Sequence, residues 1–172
     1  MALTSETGWN DPGKNPPSLL DQMKLTLRED LHPQIEFYYH QQFRIYQEPY
    51  LIWDRDTWKR LLATCTLYRI EVGGEYGGDV MLENRPGGTK YIVDFSLLPP
   101  YQGKGIGKSV LAEVMRMGRR LTAMTREEVL HFFLKSGFVL RKTIRDYYFP
   151  GVHGYYIVFS RTLPGAGRRR PE

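Results

Sequence analysis

The stretch YQGKGIGKS, residues 101–109, places three glycines and two lysines between an apolar run and a helical pattern. Glycine-rich turns that open a helix often bind phosphate, because their backbone N–H groups are accessible and a helix N-terminus attracts anions. Spacing excludes two kinds of phosphate loop. A P-loop would need glycine at Gln102, and a G-x-G-x-x-G dinucleotide loop would need it at Lys108 or Val110.

The glycine-rich stretch lies between a predicted strand and a predicted helix. The segment KYIVDFSLL, residues 90–98, has the composition of a strand and runs directly into the glycines. After them, apolar residues recur every three or four positions from Ile106 to Leu121, with charged residues between them. This spacing predicts an amphipathic helix that begins at the glycines.

The rest of the chain alternates between helical and strand patterns. Before residue 90 the sequence predicts a strand, two helices and two strands; after the amphipathic helix it predicts a short strand, a helix and a closing strand pair. Asp54 or Asp56 is the expected N-cap of the second helix, and Thr125 to Glu128 matches a capping box. The stretches behind these predictions are 23–30, 31–49, 54–64, 65–72, 79–83, 125–137, 138–148 and 154–163.

Two motifs and this order of elements point to one family. Gln102-x-x-Gly105-x-Gly107 resembles the pyrophosphate loop of the GNAT superfamily, the acyl-CoA-dependent N-acyltransferases. The segment FFLKSGF, residues 132–138, is similar to the family's aromatic-x-x-x-Gly-Phe segment, and the resemblance extends over about residues 64–162. It implies an α/β (α+β) fold, in which a central mixed, mostly antiparallel twisted sheet of six to seven strands is flanked by about four helices.

The resemblance implies acetyl-CoA as the acyl donor. The glycines would let the backbone approach the pyrophosphate, while Lys104 and Lys108 would add positive charge beside the pyrophosphate or the 3′-phosphate. The preceding strand, splayed from its neighbour in this family, would hydrogen-bond the pantetheine and the thioester carbonyl. The expected CoA-binding residues are Phe95, Ser96, Leu97, Gln102, Gly103, Lys104, Gly105, Ile106, Gly107, Lys108, Ser109 and Phe133.

The resemblance also implies direct transfer in a ternary complex, with a neutral amine attacking the thioester and CoA leaving as thiolate. Several family members place a base eleven or nine residues before the loop, where this chain has Tyr91 and Val93. The adjacent Asp94 would face the other side of the strand unless a bulge intervenes. Phe133 replaces the tyrosine that is the family's frequent general acid. The candidate catalytic residues are Tyr91, Asp94 and Tyr148.

The expected function is acetyl transfer to the amine of a small molecule or peptide. Tyr147-Tyr148 is similar to the paired tyrosines with which N-terminal amine acetyltransferases hold a peptide backbone. Because the family's base and acid are missing, the alternative is a catalytically inactive CoA-binding sensor or interaction module with the same fold. The other aromatic candidates for acceptor recognition are Tyr38, Tyr39, Tyr46, Tyr50, Trp53, Tyr155 and Tyr156.

Composition limits the remaining classes of function. The single cysteine, Cys65, excludes an intrachain disulfide and a multi-cysteine zinc site, and no metal is expected. The net charge of +5 does not indicate a nucleic-acid-binding surface, because much of the positive excess lies in residues 161–172, which hold four arginines and one glutamate. Nucleic acid is therefore not an expected partner. Neither a signal peptide nor an apolar span suited to a membrane is recognisable. We expect a cytoplasmic protein that could form a homodimer.

The predicted organisation is one domain of 172 residues with short flanking segments. Residues 1–17 are rich in Gly, Pro, Asn and Asp and are expected to be a flexible leader. Residues 18–163 form the predicted GNAT domain. Residues 164–172 are expected to be a flexible basic tail.

Overall fold

The computed structural model describes residues 24–161. The predicted leader, 1–17, and the predicted tail, 164–172, lie outside the described residues. The strands are β1 (Leu25–Glu29), β2 (Cys65–Val72), β3 (Glu75–Arg85), β4 (Thr89–Leu97), β5 (Arg120–Thr125), β6 (Val139–Phe149) and β7 (Val152–Ser160). The α-helices are α1 (Ile35–Ile45), α2 (Arg55–Thr64), α3 (Ile106–Arg116) and α4 (Glu127–Lys135), and a 3-10 turn, Pro49–Leu51, follows α1.

All seven strands join one sheet in the order β1-β2-β3-β4-β5-β7-β6, and only the β4–β5 pair is parallel. The predicted fold class and the predicted order of elements are therefore confirmed. Within the described residues, no helix is both long enough and apolar enough to cross a bilayer.

The two faces of the sheet carry separate cores. Val110, Leu111 and Val114 of α3 and Phe133 of α4 pack with residues of the central strands on one face. Tyr38 of α1 and Trp58 of α2 pack with Leu67 and Met81 on the other, which we call the α1/α2 face. The amphipathic stripes of the four helices are buried in this way, as their periodicity predicts.

Two local predictions fail and one holds. The helix after the loop ends at Arg116 and not near Leu121, which is fully buried in β5. Met117 is the C-cap of the helix and Gly118 follows it. The apolar spacing of the buried strand β5 coincides with the helical spacing, so the apolar pattern continues past the end of the helix. Thr125 is the last residue of β5 and does not cap α4, whose N-cap is Arg126. Asp54 does cap α2, since its carboxylate accepts from the Thr57 N–H at 2.7 Å.

Two irregularities in the sheet position the candidate site. Pairing between β4 and β5 covers only Thr89–Ile92 and Arg120–Ala123, so the rest of β4 lacks a partner on that side. In addition, Met81 pairs with Asp94 while the next residue, Leu82, pairs with Ile92, which leaves Val93 as a β-bulge. Because of this extra residue, the residues of β4 after Val93 point to the opposite face of the sheet from the one that strict alternation would give them.

A second bulge, in β6, brings two tyrosines across β7. Between the Ile144–Gly154 and Phe149–Val152 pairs, four residues of β6 oppose one residue of β7. Asp146 adopts φ 52° there, and its carboxylate accepts from the Gly151 N–H at 2.8 Å. The chain then carries residues 147–148 over Gly154 towards β5. A Cβ on Gly154 would lie 2.8 Å from Met124 Sδ and from Tyr147 Cβ, so only glycine fits this crossing.

We therefore expect Gly154→Ala to destabilise the protein by about 1–3 kcal/mol through overpacking, measured as a lower Tm and a lower denaturation midpoint. Gly107→Ala is the matched control, because its added Cβ would meet Leu97 and Phe132 at an ordinary 3.5 Å in a helical backbone. That variant should be neutral or stabilising by about 0.4–1 kcal/mol. Equal losses in both variants would show that the crossing at Gly154 tolerates a side chain.

Candidate functional site

The glycine-rich loop presents a row of free backbone donors. Gly103 and Gly105 have φ of 70° and 80°, a left-handed conformation that favours glycine, and Gly105 is the N-cap of α3. The N–H groups of residues 103–108 donate to no backbone carbonyl within residues 24–161. Ser109 is the first to bond, donating to the Gly105 carbonyl at 3.2 Å. These unpaired donors at a helix N-terminus suit an anion with several oxygens, such as a diphosphate.

Side chains anchor this loop and leave its outer surface open. The Gln102 amide Nε2 donates to the Leu97 carbonyl at 2.7 Å, which fixes the start of the loop to the end of β4. A Cβ on Gly103 or on Gly105 would have no atom within 4 Å, so the space in front of both glycines is open. Lys104 and Lys108 are exposed beside that space. The predicted phosphate-binding residues therefore lie together around one opening.

An aromatic cluster lies behind the loop. The rings of Phe95 and Phe133 are 6.2 Å apart, and Phe132 and Phe138 complete the group. Phe133 is only 6% exposed and has no hydroxyl to donate, so its place in the core gives it no acid function. Its predicted contact with CoA stays a prediction.

The bulge at Val93 places Asp94 on the α1/α2 face, with Val93 and Met81. Strict alternation would have put Asp94 with Ile92, in the other core. The Tyr46 hydroxyl, just after α1, donates to Asp94 Oδ1 at 2.5 Å. Burial raises the pKa of Asp94 above its ordinary value, although hydrogen bonds to its charged form oppose that effect.

A second carboxyl group lies beside Asp94 and was not singled out by the sequence. Asp79 of β3 is 2% exposed and pairs in register with Ser96, two residues from Asp94. The Tyr76 hydroxyl donates to Asp79 Oδ2. Burial, and after it the proximity of Asp94, raise the pKa of Asp79 well above its ordinary value.

The predicted tyrosines meet where β4 and β5 separate. The Tyr148 hydroxyl donates to the Met124 carbonyl of β5 at 2.9 Å, and the Tyr147 ring packs edge-on against Tyr148 at 4.8 Å. Burial raises the pKa of Tyr91 to about 12, with the neighbouring Tyr147 as the next cause. Burial also raises the pKa of Tyr148. These phenols are therefore protonated at neutral pH and can donate hydrogen bonds.

An arch joins the segment after α1 to the β6–β7 hairpin. The Tyr50 ring stacks on Phe149 at 5.5 Å with an interplanar angle of 16°, and Arg126 lies 3.6 Å from a carboxylate oxygen of Glu48. The segment that holds Tyr46 and Tyr50 therefore contacts the end of β6 that holds Tyr147 and Tyr148. The other aromatic candidates differ: Tyr38 is 1% exposed in the core, and Trp53 packs against Trp58.

Comparisons with known proteins are consistent in fold. The model of the acetyltransferase (GNAT) family matches residues 19–138. No match was found among curated proteins. Three solved structures align over most of their length at less than 20% identity, which is evidence of a shared fold.

The first of these structures is the ribosomal-protein-S18-alanine N-acetyltransferase from Escherichia coli, with 15% identity, TM-score 0.71, and coverage of 87% of this chain and 100% of that chain. The second is a GNAT family acetyltransferase from Elizabethkingia anophelis with acetyl-CoA bound, with 15% identity, TM-score 0.63, and coverage of 80% and 98%. The third is an Arabidopsis thaliana protein in complex with the bisubstrate analogue CoA-Ac-MVNAL, with 19% identity, TM-score 0.64, and coverage of 80% and 99%.

Proposed function

Because the chain belongs to the acetyltransferase (GNAT) family, we propose that it transfers the acetyl group of acetyl-CoA to the amine of a small molecule or peptide. One observation carries the proposal: the unpaired N–H groups of residues 103–108 follow, after one 3-10 turn at Pro99–Tyr101, a strand whose pairing with β5 stops at Ile92. The N–H groups of residues 103–108 could therefore bind a diphosphate, while the unpaired part of β4 binds the extended chain attached to that diphosphate. The structure from Elizabethkingia anophelis, which has acetyl-CoA bound, supports this choice of donor.

The donor would supply an activated acetyl group as a thioester, and residues of this chain would hold it. Backbone donors of 103–108 would bind the diphosphate, with Lys104 and Lys108 adding positive charge. Beyond Ile92, the unpaired edge of β4 would hydrogen-bond the arm of the donor and polarise its carbonyl. Phe95 and Phe132 would shield that arm from water.

The amine acceptor would bind between the Tyr50–Phe149 arch and the exposed Tyr147 ring. Asp94, bonded to Tyr46 on the α1/α2 face, would take the proton that the amine loses. A carboxylate with a raised pKa is a better base at neutral pH than an ordinary one, because its proton affinity is closer to that of the amine. Tyr148 would donate to the reacting group beside the unpaired edge of β4 only after giving up its hydrogen bond to the Met124 carbonyl, because its hydroxyl has a single proton.

Acetyl-CoA and CoA should raise the Tm of the protein, because a ligand bound only by the native state stabilises it by about 2.7 kcal/mol at 100 times Kd. ATP with Mg²⁺ and NADH should give smaller shifts at equal concentration. Differential scanning fluorimetry across this panel is the measurement. An equal or larger shift with ATP and Mg²⁺ would contradict CoA as the ligand of the loop.

Gly105→Val should weaken CoA binding at least tenfold, since a branched side chain would occupy the open space in front of the unpaired N–H groups. Gly87→Val is the matched control: Gly87 has φ 72° and the same open surroundings, but it lies at the other end of β4. Both variants should lose similar stability through backbone strain, about 1–2 kcal/mol. Lys104→Ala should weaken binding less, because one exposed cation is screened. The Kd for CoA of each variant is measured by isothermal titration calorimetry. A wild-type Kd in Gly105→Val would show that the diphosphate does not bind at this loop.

Asp94→Asn should lower kcat by about 10²–10⁴, the range of general base catalysis, and leave CoA affinity unchanged. Asp56→Asn, at an exposed carboxylate of α2, should change neither quantity. The assay is release of free CoA in the presence of a panel of amines and peptides. Release of free CoA at the wild-type rate by Asp94→Asn would show that Asp94 is not the general base. CoA binding without release on any acceptor would favour the inactive CoA-binding module.

A further inference from the structure

The carboxyl group of Asp79 lies in a buried environment that disfavours its ionised form. Its side chain is 2% exposed between the sheet and the layer of α1 and α2. In the described part of the chain, no ion pair includes Asp79. Burying an unpaired charge costs several kcal/mol, so a buried carboxyl without a cation is normally protonated.

The hydrogen bonds around Asp79 leave one position open. Tyr76 donates to Oδ2, whereas Oδ1 and the Ser96 hydroxyl opposite it are buried without a hydrogen-bond partner among the described residues. Asp94 is the diagonal neighbour of Asp79 on the same face, and Tyr46 donates to Asp94 Oδ1. Each carboxyl therefore accepts from one tyrosine, Asp79 Oδ1 is left without a partner, and the two carboxyl groups are close enough for each to affect the pKa of the other.

Other titratable and charged groups face this pair from the surrounding elements. Arg69 of β2 is the in-register partner of Asp79, and its guanidinium lies over the Phe37 and Tyr76 rings, 4.8 Å and 5.4 Å from their centroids. Arg126, before α4, pairs with Glu48 and Glu128. The remaining groups are phenols, Tyr38 of α1 and Tyr148 of β6, both with raised pKa. Neither arginine makes an ion pair with Asp79 or Asp94.

We propose that Asp79 is a positioning residue for the proposed acetyl transfer: its protonated carboxyl donates a hydrogen bond to Asp94 and keeps Asp94 ionised to accept the amine proton. The inference rests on the proposed function. In the step, the amine nitrogen bonds to the acetyl carbon, its N–H bond breaks and an O–H bond forms on Asp94. The C–S bond of the thioester breaks, and its electron pair leaves on the CoA sulfur as thiolate. Asp79 keeps its own proton, so the charge of the pair changes from −1 to 0. The proton on Asp94 then passes to the CoA thiolate or to water.

The strongly raised pKa of Asp79 and the opposing effects on the pKa of Asp94 agree with this assignment. A hydrogen bond donated to the charged form of Asp94 lowers its pKa. Loss of that donor must therefore raise the pKa of Asp94, and the acidic limb of the kcat profile should move to higher pH.

The test compares Asp79→Asn with Asp79→Leu. Asn can accept from Tyr76 with its oxygen and donate to Asp94 with its NH₂ group, so it reproduces the bonding of a protonated carboxyl. We expect Asp79→Asn to keep kcat within about threefold and to leave the acidic limb in place, whereas Asp79→Leu should lose about tenfold in kcat at neutral pH and move that limb upward by about one pH unit. If Asp79 were the ionised member, Asp79→Asn would remove a negative charge and move the limb to lower pH, which would overturn the proposal.

A second measurement does not depend on turnover. Infrared spectra in D₂O at neutral pH should contain the carbonyl stretch of a protonated carboxylic acid, lost in Asp79→Asn and retained in Asp94→Asn. Retention in Asp79→Asn with loss in Asp94→Asn would contradict the assignment. If no acceptor is turned over, this band still tests the protonation of Asp79 separately from the proposed function. Should a variant fail to fold, a wild-type spectrum without any protonated carboxyl band would itself exclude the proposal.

Discussion

The short parallel pairing of β4 with β5 is the constraint on which the rest of the site depends. Backbone N–H and C=O groups inside a protein are almost always hydrogen-bonded. Here pairing stops after Ile92 and Ala123, although β4 continues to Leu97. The unpaired edge can therefore take partners from outside the sheet. The glycine-rich loop follows this edge after one 3-10 turn, so an unpaired strand edge and an unpaired helix N-terminus are neighbours along the chain.

Two of the register irregularities of the sheet serve the same place. The bulge at Val93 turns Asp94 towards the α1/α2 face, and the bulge in β6 carries Tyr147 and Tyr148 over Gly154 towards Met124. A regular ladder would have sent Asp94 into the apolar core with Ile92 and left the tyrosines on an edge strand. Each irregularity moves polar groups towards the point where β4 and β5 separate, as bulges near active sites commonly do.

Much of this architecture could be predicted from the sequence, because its signals are local. Glycine spacing identifies the loop, and apolar periodicity identifies the strands and helices. Asp79 could not be found in this way, since an aspartate at the start of a strand pattern is ordinary. Its importance comes from the register of β3 with β4 and from the burial that α1 and α2 provide, both of which are tertiary. The same reason explains the error at Leu121, where a buried strand shares the spacing of a helix.

The buried tyrosine–carboxyl group also connects the helical layer to the chemistry. Tyr46 lies at the end of α1, so its bond to Asp94 fixes that end of the helix against β4. Two buried carboxyl groups are a poor way to stabilise such a contact, because apolar residues of similar size are often as stable or more so. A strongly perturbed pair of titratable groups is instead typical of functional sites. Under the proposed function, the pair would serve proton transfer, and the packing of α1 against β4 would follow from its position.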